Sequence, residues 1–260
     1  MSIKHLKNVS LHKYTTLKVG AKAKHLLIPE SIDDLLEIPY TPYILGNGSN
    51  ILSLKNIDTV IKLGRQIPAS QNLSCLCKKM AREGKAGLEF AIGIPGTLGG
   101  AIKMNAGGKL GCMGDIVKTV TTVNNGKIQK VTPSFVYRSS NIPGIIVDAN
   151  FITQSLAPKL IRKRLEKILA TKCADQPIRS NTAGCIFKNP PNKNAGFLIE
   201  QAGLKGKIFG NVRVSPIHAN FIETRHNVSA QEVMEVISLI SNKVLKESGC
   251  LLELEVKLWA

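Results

Sequence analysis

The sequence predicts an α+β protein, and three stretches carry that reading. Residues 24–36 combine a strand, His25 to Pro29, with a helix capped by Ser31. Asp33 and Asp34 lie in its first turn, where carboxylates complement the helix dipole. Residues 117–131 and 144–152 read as antiparallel strands, and Asn125-Gly126 is a strong hairpin signal because both residues accept positive φ. Residues 229–248 form the best helical pattern in the chain: Ser229 and Glu232 make a capping box, and Val233, Val236, Ile237, Ile240 and Val244 line one face. Gly249 ends it.

Between these anchors, Ile44-Leu45 is a short strand and Thr59 to Leu63 another. Leu73, Leu76, Cys77 and Met80 follow helical spacing to an end near Gly84. The first α+β region ends near residue 155. A basic helix over 158–171 then enters a second region, in which 195–203 is a further helical pattern. Leu252 to Leu258 alternates strictly, which sets the leucines and Val256 on one face of a final strand and Glu253, Glu255 and Lys257 on the other. Carboxylates in that setting are solvated or face a cleft between domains.

Residues 84–115 hold ten glycines in thirty-two positions, interleaved with isoleucine, leucine and methionine. So much glycine suits a helix poorly, and so much apolar side chain suits a flexible linker poorly. Glycine lets the backbone approach a ligand and adopt positive φ, leaving amide N–H groups for phosphate or carbonyl oxygens. Pro95 stiffens the turn between Ile94 and Gly96. The stretch reads as a buried loop around a large anionic cofactor. A second turn, Gly46-Asn47-Gly48-Ser49-Asn50, follows the apolar run Tyr43-Ile44-Leu45 and offers several unobstructed donors. Turns of that composition are common at surfaces, so it supports the first loop without standing alone. It lacks the G-x-G-x-x-G spacing and no P-loop lysine follows, which argues against a Rossmann or Walker site.

A length of 260 residues allows one large domain or two to three small ones. The N-terminal Met1-Ser2-Ile3-Lys4-His5-Leu6-Lys7 has no apolar core of a signal peptide, and no run of ~18 apolar residues occurs, so a cytoplasmic protein without a membrane partner is expected. Six cysteines (75, 77, 112, 173, 185 and 250) are too few for a disulfide scaffold. Cys75 and Cys77 do not face each other on a helix, and the five histidines are scattered, so no metal site is expected. The net charge of +17, partly concentrated in 159–167, reads chiefly as a lysine-rich background on solvated faces, with a share that steers anionic ligands. Only 5% aromatic residues leaves few platforms for stacking bases, so no nucleic-acid partner is expected; a monomer is.

One series of motifs runs in order along nearly the whole chain. It comprises Tyr14-Thr15-Thr16-Leu17-Lys18-Val19-Gly20, LGNGSN (45–50), GLEFAIGIPGTLGGAIKMNAG (87–107) and YRSS (137–140), then QP (176–177) with GCIFKNP (184–190), AGFLIEQAGLKG (195–206), HANF (218–221) and LELEV (252–256). This ordered series resembles the UDP-N-acetylenolpyruvoylglucosamine reductases, the MurB family. Residues 191–220 leave no room for the tyrosine-bearing insertion of the longer subclass, so the resemblance is to the shorter type II form. It implies an FAD-binding fold of the vanillyl-alcohol-oxidase (PCMH) type in two subdomains, 1–65 and 66–155. A substrate-binding α+β domain over 156–250 and a terminal strand, 251–260, returning to the active-site cleft would complete it. The implied activity is NADPH-dependent, FAD-mediated reduction of UDP-N-acetylglucosamine-enolpyruvate to UDP-N-acetylmuramate, a peptidoglycan precursor. Another flavin oxidoreductase of the same fold and a basic nucleic-acid-binding protein are the rival readings.

The resemblance places Gly46, Asn47, Gly48, Ser49, Asn50, Gly93, Ile94, Pro95, Gly96, Gly99, Gly100, Asn105, Ala106 and Gly107 at the cofactor. It places Tyr137, Lys188, Asn189 and Glu200 at the substrate, and Arg138, Cys185 and Glu255 in catalysis. Hydride delivered to C3 of an enolpyruvate leaves charge on the carboxylate as an enediolate. A fixed cation, Arg138, and a hydrogen-bond donor, Glu255 if protonated, lower that barrier. Cys185 stands where the family carries the serine that protonates C2; a thiol, pKa ~8.5 when free, serves while it stays protonated. The structural alternatives are a surface arginine at 138, a solvated strand face at 255, core packing at 137, a loop-ordering asparagine at 189, and a small cysteine at 185 beside some other donor. Two departures stand out. Only Gly64 to Asn72 separate the strand at 59–63 from the next helix, where the family adds a strand and a glycine turn, so contacts to the adenosine half of FAD are expected to differ. Leu254 replaces the proline of the family's LEPEV.

Overall fold

The computed structural model describes residues 3–39, 41 and 43–260. Its first strands are β1 (Lys4–Ser10), β2 (Lys22–Ile28), β3 (Ile44–Leu45), β4 (Ile51–Ser53) and β5 (Ile57–Lys62). One sheet takes the order β1-β2-β5-β3, and β3 runs parallel to β5 with Leu45 beside Lys62. Helix α1 (Ile32–Leu36) begins as its capping residues dictate. The Ser31 hydroxyl accepts from the Asp34 N–H, and the Asp34 carboxylate accepts from the Ser31 N–H. Two otherwise orphaned donors are thereby satisfied. Helix α2 (Leu73–Arg82) buries Leu73, Leu76, Cys77 and Met80, as their spacing predicts, and Gly84 follows at φ 71°. The short connection before α2 contains a single 3-10 turn, Pro68–Ser70.

The expectation that residues 84–115 avoid helix is corrected. Leu98–Lys103, sequence LGGAIK, forms helix α3, and short 3-10 turns occupy Glu89–Ala91 and Met113–Asp115. Two effects outweigh glycine's low propensity. Thr97 caps α3 by accepting the Gly100 N–H at 3.3 Å. A Cβ on Gly99 would lie 3.2 Å from the Ala69 methyl, so the missing side chain is what lets α3 pack this closely.

The hairpin forms at the predicted turn. Val117–Asn124 pairs antiparallel with Lys127–Val131 across Asn125 at φ 49° and Gly126 at φ 69°, and Ile145–Phe151 adds on the other side. Helix α4 (Pro158–Asp175), α5 (Ala195–Gln201) and α6 (Ala230–Ser248) follow. Helix α6 carries the full capping box at Ser229 and Glu232, buries Val233, Val236, Ile237, Ile240 and Val244, and ends at Gly249 in a left-handed conformation. Among the described residues no helix is long and apolar enough to cross a membrane.

The chain divides into two compact units that interleave in sequence. The first takes residues up to 7, 25–47 and 59–171; the second takes 8–24, 48–58 and 172–260. Most of the basic helix α4 therefore belongs to the first unit. The first unit holds two apolar cores. The larger joins α2, α3 and the Val117 strand through Leu73, Leu98, Ile102, Met113 and Val120; the smaller gathers Leu35, Ile61, Ile67 and Val147. The second unit packs α5 and α6 around Phe187, Ile199, Val214, Val233 and Ile240.

A second correction concerns the C-terminus, where only Lys257–Trp259 is a strand, parallel to β4. Before it, Leu254 makes an isolated bridge to Phe187. The backbone changes partner on the way: Glu255 N–H donates to Ile186 O at 2.8 Å, whereas Lys257 N–H donates to Asn50 O at 3.0 Å. That change breaks the period of two. Leu252 and Val256 are buried, but Leu258 is exposed and Trp259 takes the inward place.

Removing the α6 cap tests this account. Ser229→Ala should lower stability by about 1 kcal/mol in urea titration with an unchanged m-value, because the Glu232 N–H loses its acceptor.

Candidate functional site

In the first unit, the two glycine loops meet. A Cβ on Gly46 would lie 2.6 Å from Thr97 Oγ1, so the 46–47 turn and the 93–100 loop approach as only glycine permits. Gly93 (φ 78°) and Gly96 (φ 136°) take positive φ on either side of Ile94 and Pro95. Leu73 N–H donates to Gly96 O and Leu98 N–H to Gln71 O, which anchors this loop on the entry to α2. Gly100 lies exposed on α3. Sequence reading did not single out Thr97 or Lys62. Thr97 is the cap of α3, and Lys62 donates from its Nζ to Gly46 O at 2.8 Å. The Lys62 ammonium is partly buried, and burial pushes its pKa down. A glycine turn whose carbonyl is held by an ammonium without an ion-pair partner within 4 Å among the described residues is a donor set that fits a phosphate-bearing cofactor.

Asn105, Ala106, Gly107, Tyr137 and Arg138 form a second group in the same unit. Asn105, at φ 44°, donates from Nδ2 to Val136 O at 3.0 Å and accepts the Gly114 N–H at 2.9 Å. Ala106 O accepts the Met113 N–H. Arg138 donates to Gly107 O at 3.0 Å, and its guanidinium carbon sits 5.1 Å from the centre of the Tyr137 ring. Tyr137 and Arg138 are the two linking residues between the paired strands Phe135–Val136 and Ser139–Ser140, and Arg138 occupies the left-handed region at φ 58°. Tyr137 is half exposed and so is not core packing.

In the second unit, Asn50, Lys188 and Glu255 come together through hydrogen bonds to backbone. Residues 186–188 run antiparallel to 253–255: Lys188 N–H donates to Glu253 O at 2.8 Å and Glu255 N–H to Ile186 O. Cys185, one residue before this ladder, makes an isolated antiparallel bridge to Phe221 instead. Asn50 Nδ2 donates to Glu255 O at 3.2 Å, drawing the second half of the Gly48-Ser49-Asn50 turn to this ladder. The Lys188 ammonium pairs with the Glu253 carboxylate. Gly48, at φ 61°, packs against Tyr14 and Thr15 so closely that a Cβ would collide with the Tyr14 carbonyl. Thr16 explains its motif: its N–H donates to Gly48 O at 3.2 Å and its hydroxyl to Thr182 O at 2.7 Å.

Two predicted residues stand apart from this ladder. Asn189 accepts the Ala195 N–H at 3.0 Å, ordering the entry to α5. Glu200 faces Lys205 at 2.9 Å on an exposed surface.

The ladder hangs on Asn220, a residue of the HANF motif to which sequence reading gave no role. Its side chain accepts the Phe187 N–H at 3.0 Å and donates to Phe187 O at 2.7 Å, with only 2% of the residue exposed. Its own carbonyl accepts the Ile186 N–H at 2.9 Å. His218 accepts the Asn220 N–H on Nδ1 at 3.2 Å, a bond that needs the neutral ring. Burial pushes the His218 pKa down, and Lys205 adds to the shift.

With this geometry in place, comparison with known proteins is informative. Residues 176–259 match the model of the UDP-N-acetylenolpyruvoylglucosamine reductase C-terminal domain. A UDP-N-acetylenolpyruvoylglucosamine reductase from Moorella thermoacetica is 36% identical over 290 residues, covering 100% of this chain and 94% of its own. The chain belongs to the UDP-N-acetylenolpyruvoylglucosamine reductase family. A second reductase, from Prochlorococcus marinus, is 33% identical over 98% of each chain. The crystal structure of the Thermus caldophilus reductase matches end to end in both chains, with a TM-score of 0.89 at 34% identity. The mixed α+β architecture is thus that of a reductase of this family.

Two measurements test the Asn220 clamp. Asn220→Ala leaves both polar groups of Phe187 unsatisfied in the core and should cost about 2–4 kcal/mol in denaturant unfolding. The His218 effect has a definite sign. Its folded pKa lies below the unfolded value of about 6.5, so its contribution is complete above that value and is lost as pH falls through it. The stability gap between wild type and His218→Gln should therefore shrink between pH 8 and pH 5.5; a gap that widens toward acid contradicts the assignment.

Proposed function

We propose that this chain reduces UDP-N-acetylglucosamine-enolpyruvate to UDP-N-acetylmuramate, supplying a precursor for peptidoglycan in the cytoplasm as a monomer. NADPH is the hydride donor and FAD the carrier. The observation that carries the reading is similarity to named reductases of this family over the full chain, in sequence and in fold. Bound FAD supplies the capacity to take hydride from NADPH and pass it on.

In this reading residues 1–65 and 66–155 serve the cofactor, 156–250 the substrate, and 251–260 brings the last strand back to the site. The turn at Gly46, Asn47, Gly48, Ser49 and Asn50 and the loop from Gly93 to Gly107 hold FAD through backbone donors. Arg138 binds the enolpyruvyl carboxylate. Its place in a two-residue link and its bond to Gly107 O support that role, because they restrict where the guanidinium can go. Tyr137, stacked on Arg138, forms the adjoining wall. Glu255 acts at the same carboxylate, and Lys188, Asn189 and Glu200 orient the UDP-sugar.

The reaction adds hydride to C3 and a proton to C2, turning the C2=C3 bond into a single bond. Negative charge built on the carboxylate during the first step is offset by Arg138. Cys185 Sγ holds the proton that reaches C2, leaving a thiolate that water reprotonates. Cys185 immediately precedes Ile186, whose carbonyl accepts the Glu255 N–H, and this closeness in the backbone supports a shared task with Glu255.

Anaerobic spectroscopy tests the whole reading. NADPH should bleach the visible band of the flavin-loaded protein, and the enolpyruvyl substrate should restore it. Bleaching without recovery would point instead to a different acceptor. Cys185→Ala should keep FAD and its reduction by NADPH yet lose on the order of 10²-fold or more in turnover, as removal of a positioned proton donor does. Cys185→Ser should remain active. Equal turnover in Cys185→Ala removes the thiol from the mechanism.

A further inference from the structure

The parallel pairing of β3 with β5 sets Lys62 beside Leu45, the last strand residue before the glycine turn. From there its ammonium reaches one residue along to donate to Gly46 O at 2.8 Å. A trans peptide points its N–H opposite to its carbonyl, so gripping Gly46 O also sets the direction of the Asn47 N–H. Gly46 also packs closely against Thr97: a Cβ there would lie 2.6 Å from Oγ1. The Lys62 bond and this close packing both limit how the peptide between Gly46 and Asn47 can turn.

The charge of Lys62 is the second observation. One hydrogen bond to a carbonyl satisfies one of three ammonium protons. It makes no ion pair within 4 Å among the described residues, although the group is partly buried. A cation withdrawn from water without a counter-ion is costly, and a fold keeps such a group where the balancing charge arrives with a ligand. The other loop at this place, Gly93 to Gly100, carries no acidic side chain.

We propose that Lys62 is a cofactor-positioning residue: through Gly46 O it aims the Asn47 N–H at the pyrophosphate of FAD, and its charge, on the carbonyl side of that peptide, strengthens the peptide's pull on the anion. This rests on the flavin reading above. It assigns to β5 a part in cofactor selection, because a flavin without phosphates gains nothing from the ammonium.

Titration of the purified, flavin-stripped full chain with FAD and, separately, with riboflavin tests it by quenching of flavin fluorescence. Wild type binding neither ligand sinks the flavin reading and this proposal together. Where wild type binds FAD, Lys62→Met should weaken FAD by on the order of 10- to 100-fold and leave riboflavin within about twofold. The affinity of wild type for FAD should fall with added salt more steeply than that of Lys62→Met. Lys62→Arg, which keeps the charge, should recover most of the lost affinity. Unchanged FAD binding in Lys62→Met overturns the proposal. So does an equal loss of FAD and riboflavin, which marks Lys62 as a structural support for the turn alone.

Discussion

The side chain of Asn220 is the constraint from which the candidate site in the second unit takes its form. A buried asparagine that satisfies both backbone groups of one residue acts as a rung of sheet where no strand is present. It ties Phe187 into the core, and that fixes the backbone of Cys185 and Lys188 on either side. The C-terminal segment then has a surface to pair with, and Glu255 arrives by backbone bonding to Ile186. Phe187 is itself among the largest fully buried side chains, so the apolar core and the polar clamp fix the same residue. Site geometry and unit stability are coupled there, which is why the ladder can be built from so little regular secondary structure.

The first unit solves its problem differently. Its glycines let neighbouring segments approach closely, as Gly46 does against Thr97. Polar side chains then fix the backbone: Lys62 holds Gly46 O, and Asn105 bridges Val136 and Gly114. Polar side chains that bind backbone replace the rigidity that glycine surrenders.

Much of this was legible in the sequence where a local rule governs. The caps at Ser31 and Ser229, the Asn125-Gly126 turn and the buried faces of α2 and α6 each depend on residues within one or two turns of each other. Ordered motifs likewise marked the family to which the chain belongs. What sequence did not disclose depends on distant partners. Leu98–Lys103 is helical because Ala69 and Thr97 receive its glycines, and no propensity within LGGAIK says so. Residues 252–258 alternate like a strand, yet they change partner midway and lose the alternation. Lys62 looks like an ordinary strand lysine until the parallel register puts it beside the glycine turn. Asn189 carries the loop-ordering contact that was its alternative, alongside any role at the substrate.

The backbone of Arg138 has a consequence for how this protein can change. A left-handed conformation costs a residue with a Cβ roughly 1–2 kcal/mol, and arginine has no side-chain means of softening it. Drift toward glycine or asparagine at 138 would relieve that strain while erasing the guanidinium and its bond to Gly107 O. On the role proposed for Arg138, selection for an unstrained backbone and selection for turnover would pull this one position in opposite directions. A library of this chain sorted for thermal resistance alone would then be free to discard the guanidinium.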